Sequence, residues 1–108
     1  MSYLMTKLGD VVERIRSKNA GPFWITVDIF CGDLEVFNLV RNTVTIPLVL
    51  QLTKVPIEAL KRFELEDLMV VKFSFHRQEI QGSRGDRDMH GAQIANLFLE
   101  LNLSLIHI

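Results

Sequence analysis

A chain of 108 residues with 12 Lys and Arg against 13 Asp and Glu carries a formal net charge of -1, and 48% of it is apolar. That suffices for one core and not for two. It is too apolar for a disordered tail and too evenly charged for a generally basic nucleic-acid binder. No apolar run approaches the roughly 20 residues that cross a bilayer. We therefore expect one domain over 1–108, with no nucleic acid and no membrane among its partners.

Leu8, Val11, Val12 and Ile15 recur at i, i+3, i+4 and i+7 and predict a helix that stops at Ser17-Lys18-Asn19 and is broken by Gly21-Pro22. Phe23, Ile25, Val27, Ile29 and Cys31 then alternate with Trp24, Thr26, Asp28 and Phe30, which predicts a central strand with the aromatics in the core. Asp28 is out of place there. A carboxylate in an apolar strand must be paired or hydrogen-bonded, and Arg87 is its expected donor. Asp33 is placed to cap a helix that turns Leu34, Phe37 and Val40 inward. Thr45 and Pro47 open a second helix with Leu48, Leu52 and Val55 on one face, ended by Pro56. A short strand is expected at 63–65. A clear one follows at 69–75, with Met69, Val71, Phe73 and Phe75 on one face and Lys72, Ser74 and an exposed His76 on the other.

Residues 78–91 (QEIQGSRGDRDMHG) are polar and glycine-rich, a long loop for so small a domain. Ile94, Leu97, Phe98 and Leu101 predict a last helix, and Leu101, Leu103 and Leu105 a closing strand. Mixed helices and strands in this number fit an α+β two-layer sandwich with a small sheet and helices on one face. The lone cysteine, Cys31, cannot close an internal disulfide and sits in an apolar run, so it reads as a small buried hydrophobe. With no secretory leader pattern at the N-terminus, a cytoplasmic location is expected.

Two polar stretches exceed what such a fold needs. Arg16, Ser17, Lys18, Asn19 and Gly21 bring cations, a hydroxyl and an amide to the start of the central strand. Read as structure, they are a helix end with cations that favour its dipole, then a turn. Read as function, they hold a carboxylate or phosphate. The second stretch contains Gly82, Asp86, Arg87, Asp88, His90 and Gln93. Asp86, Asp88 and His90, spaced by two, would share a side of an extended backbone, but solvated Asp–Arg pairs explain the charges equally well. No metal-ligand spacing of a specific kind is present. We expect neither a metal nor a cofactor.

Together, RSKNAGPFW-T-DIF and QGSRGDRDMHGAQ resemble a bacterial domain family of unknown function. It is similar to the small domain that accompanies, or is fused to, acyclic terpene utilisation A-type proteins. The resemblance spans roughly 8–101. It implies a ferredoxin-like variant of the α+β fold acting beside a larger catabolic protein, and it assigns no mechanism. It also implies that residues 1–4 extend upstream of the family's start near Met5, while the closing LSLIHI of 103–108 resembles translated adapter DNA, a non-native tail.

Two functions are consistent with these features. The first is an accessory interaction domain, not catalytic on its own, that partners the larger catabolic protein. The alternative is a small anion-binding domain or enzyme whose carboxylate or acyl-thioester site is shared by the two motifs, with the 81–91 loop folded beside 17–21.

Overall fold

Alternation along Trp24–Phe30 does place a strand there, and a central one. Ile25, Val27 and Ile29 are wholly buried on one face, and Thr26 and Asp28 are buried on the other. The computed structural model describes residues 6–76 and 91–103. Four strands, β1 (Arg14–Asn19), β2 (Trp24–Phe30), β3 (Leu60–Leu65) and β4 (Val70–His76), form one antiparallel sheet in the order β1-β2-β4-β3. Directly paired residues share a face. Ile25, Val27 and Ile29 pair with Phe75, Phe73 and Val71, and these six form the floor of the core.

The α-helices among the described residues roof that floor. They are α1 (Leu8–Val11), α2 (Leu34–Thr43), α3 (Ile46–Thr53) and α4 (Gly91–Leu99). Leu8, Phe37, Val40, Val49, Ile94 and Phe98 are their buried anchors, and the Phe98 ring lies 5.3 Å from that of Phe73. This is the expected two-layer α+β sandwich with helices on one face. Its element order is two hairpins, β1–β2 and β3–β4, joined through α2 and α3. The ferredoxin-like plan instead splits βαβ units around the sheet, so the fold shares with that plan the four-stranded antiparallel sheet under one helical layer and differs in element order.

Both predicted caps form. The Asp33 carboxylate accepts from Val36 N–H at 2.8 Å, and the Thr45 hydroxyl accepts from Leu48 N–H at 3.4 Å. Each satisfies a donor that the first turn leaves open. Leu34, expected inside, is 51% exposed, because it falls on the outer side of the first turn. α3 ends at Thr53 with Lys54 left-handed at φ 60, so Val55 reaches the core from beyond the helix.

The main correction concerns 8–19. The expected helix is a single turn, and the chain becomes extended at Val12. Ile15, expected on the helix, lies in β1, as do Arg16 to Asn19. Six residues paired along β2 bond their backbone more completely than a helix end and turn would. Gly21, at φ 74, makes the turn into β2, where Ala20 N–H donates to Trp24 C=O at 2.9 Å. Gly9 permits α1 to close on α4, since a Cβ there would lie 2.8 Å from Leu99 Cδ2. Met69, expected as a strand residue, is the left-handed turn residue before β4. The expected closing strand is reduced, among the described residues, to a bridge between Asn102 and Lys7, with Leu103 N–H donating to Thr6 C=O at 2.8 Å.

Candidate functional site

A sheet whose described helices all lie on one side has a second face, and here that face is polar and cationic. β1 turns Arg14, Arg16 and Lys18 toward it by strict alternation. Two rows cross the sheet. Arg16 pairs with Asp28, Asp28 with Lys72, and Lys72 with Phe63. Lys18 pairs with Thr26, Thr26 with Ser74, and Ser74 with Lys61. No described helix or strand packs on these rows.

Trp24 and Phe30, expected in the core, lie half-buried on this same face. Long cationic side chains lie over them: the Arg14 guanidinium is 4.3 Å from the Phe30 ring centroid and the Lys61 ammonium 5.1 Å from that of Trp24. Such contacts favour the cation by about 0.5–1 kcal/mol where exposed. His76, expected to be exposed, is instead packed at the end of the face, edge-on to Trp24 at 4.7 Å and stacked with Phe23 at 6.3 Å.

Among the described residues, three buried side-chain atoms have no hydrogen-bond partner: Thr26 Oγ1, Asp28 Oδ1 and His76 Nδ1. All three residues belong to this face. Lys72 Nζ approaches Asp28 Oδ1 to 3.8 Å, an ion pair but too long for a hydrogen bond. A polar atom buried without a partner costs about 1–3 kcal/mol. The helix-covered face has no such atom among the described residues.

The residues singled out in the sequence divide accordingly. Arg16, Lys18 and Asp28 converge on the open face. Ser17 and Asn19 point to the helix side of β1, opposite Val27 and Ile25, and Gly21 lies in the β1–β2 turn. Gln93 is exposed in the first turn of α4. Gly82, Asp86, Arg87, Asp88 and His90 lie outside the described residues, as does the expected bond from Arg87 to Asp28. Sequence reasoning missed the contributions of Thr26, Lys61 and the two aromatics. The signal was available in the charges: cations at every second position of 14–18 mark a strand face as clearly as apolar residues do.

Cys31 is buried, its thiol donates to Ile29 C=O at 3.7 Å, and burial pushes its pKa up to about 11. It is a packing residue, as expected. Among the described residues, no cluster of three or more His, Cys, Asp or Glu side chains could hold a metal ion. No described helix is long and apolar enough to cross a membrane.

Fold and site together define an α+β domain with one helical layer and one polar, cationic sheet face. Over residues 8–102 its sequence matches the family described as Domain of unknown function (DUF4387), and the chain belongs to that family. No curated protein and no solved structure gives a significant match.

Proposed function

We propose that this domain is an accessory interaction module, not catalytic on its own, that docks on a larger protein through the sheet face away from the helices. The observation that carries this reading is the gathering of Thr26 Oγ1, Asp28 Oδ1 and His76 Nδ1 on that one face. By drawing aside the long side chains that bury these atoms, a partner that brings a donor to Asp28 and polar groups to the other two relieves a cost the described residues leave unmet. Arg14, Arg16, Lys18, Lys61 and Lys72 surround them, so the matching surface is acidic. A second copy of the same face does not fit, because it would set these cations against their own kind. The partner is a catabolic protein of the acyclic-terpene-utilisation type, by the resemblance of the two motifs, and the domain works beside it in the cytoplasm. A stable interface of this kind buries about 1,200–2,000 Å² in total.

Co-expression with that larger protein and size exclusion at micromolar concentration tests the reading. Co-elution is expected, and the Arg16→Glu, Lys61→Glu double variant should bind at least about tenfold more weakly with its melting temperature unchanged. Separate elution of two well-folded proteins counts decisively against it.

One observation favours the anion-binding alternative. In the row Lys18, Thr26, Ser74, Lys61, two hydroxyls stand between two ammonium groups, a donor set suited to a carboxylate or thioester-linked phosphate. Saturable heat of binding with a small carboxylate, abolished by Thr26→Val, would favour it over docking.

A further inference from the structure

β3 ends the sheet on one side. Among the described residues, no backbone group of 61–65 bonds anything beyond β4. A bare edge is a template for another strand unless something blunts it. Its surroundings are unusually apolar for a surface. Ile57 in the turn before β3, Phe63 within it and Leu68 in the turn after it are 61%, 45% and 70% exposed.

From these features we infer that β3 pairs antiparallel with β3 of a second copy, in one register centred on Phe63. Faces match only when the residue numbers of a directly opposed pair sum to an even number. Centred on Lys61, the register sets lysine against lysine. Centred on Arg62 it sets arginine against arginine, and centred on Glu64, glutamate against glutamate. Centred on Phe63, it sets Phe63 against Phe63, Arg62 against Glu64 of the second copy, and Lys61 against Leu65. Opposed unlike charges and an aromatic pair are the favourable cross-strand combinations. This register alone offers both.

Arg62 is already held for the purpose. Its Nε donates to Val44 C=O at 3.2 Å, one Nη to Arg41 C=O at 2.8 Å and the other to Glu64 of its own chain at 2.6 Å. The Glu64 side chain is 40% exposed and can accept from a second guanidinium. The same register brings the turn bearing Ile57 toward the turn bearing Leu68 of the other copy, so that these two exposed residues approach one another. The product is an eight-stranded sheet whose two cationic faces lie on the same side. The inference does not rest on the docking reading, since it is carried by backbone pairing at the β3 edge, although Lys61 and Phe63 also border the open face.

Sedimentation of the full chain across rising concentration tests it, with a reversible dimer expected. Glu64→Lys opposes two cations at each end of the pair and should shift the chain to monomer with the fold intact. Directly opposed Cα atoms lie about 4.5–5.5 Å apart, within the span of a disulfide. Mild oxidation of the Phe63→Cys variant should therefore yield a covalent dimer. Lys61→Cys should not, because its equivalent lies roughly 13 Å away in this register. A chain monomeric at every concentration overturns the inference. So does a Glu64→Lys variant that dimerises like the parent, or equal cross-linking at the two positions.

Discussion

The two edges of the sheet have met the same hazard in opposite ways. β1 carries Arg14, Arg16 and Lys18 on one face, so every self-pairing centred within 14–18 opposes cation to cation. Charge is one of the means by which edges avoid pairing. β3 interleaves Lys61 and Arg62 with Phe63 and Glu64, and one register opposes Arg62 to Glu64 and Phe63 to Phe63. An edge is guarded by the order of its charges and not by their number. The edges also differ in attachment. β1 contributes half-buried Ile15 to the core and β3 contributes buried Leu60, but β3 is also fastened through Arg62 to the carbonyls at the end of α2.

The largest test of that difference is at the core both edges flank. Phe73 is wholly buried against Phe98 and lies opposite Arg62. Phe73→Ala should cost about 3–5 kcal/mol, and Ile15→Ala, at a half-buried edge position, about 1–2 kcal/mol. Urea unfolding at low concentration measures both, and equal losses would erase the distinction. Next comes Arg62→Ala, which unties three hydrogen bonds and should cost about 2 kcal/mol. Arg16→Ala on the other edge should stay within about 0.5 kcal/mol. Thermal melts that reverse this ranking would show β1 to be the more firmly held edge.

At neutral pH the smallest effect is expected at Cys31, which lies at the end of β2 between the two. Its ordinary pKa of 9.0 rises to about 11 through burial, so near neutral pH it is protonated whether folded or unfolded and contributes no pH dependence. Above pH 9 the unfolded thiol loses its proton first, and stability falls as the pH climbs toward 11. A thiol reagent at neutral pH should label the unfolded chain and spare the native one; rapid native labelling contradicts the packing role.

What was legible in the sequence follows from where each residue's constraint originates. β2 and β4 lie at the centre, so their apolar alternation is dictated by the core. Asp33 and Thr45 were legible as caps because the need is local. β1 was not, because Leu8, Val11, Val12 and Ile15 fit a helical template while serving a helical turn and a separate strand. An edge strand is half released from the core, and its period of two is written in Arg14, Arg16 and Lys18. Trp24 and Phe30 misled for a related reason. In a strand buried on both faces, size does not reveal which face an aromatic takes. Of the two motifs, the first lies within the described residues and is divided by the sheet. Alternation sends Arg16 and Lys18 to one side of the sheet and Ser17 and Asn19 to the other.

The pairing of β2 with β4 has a consequence for how the chain reaches this structure. Each hairpin closes across a short turn, residues 20–23 in one and 66–69 in the other, and loses little chain entropy in doing so. Joining them encloses α2, α3 and β3 within one large loop, and the floor of the core exists only after that closure. The costliest entropic step is therefore closure of the seam that pairs Val27 with Phe73, and long-range pairing of this kind slows folding. Substitutions at the seam will slow folding, whereas those on β1 or β3 will chiefly hasten unfolding.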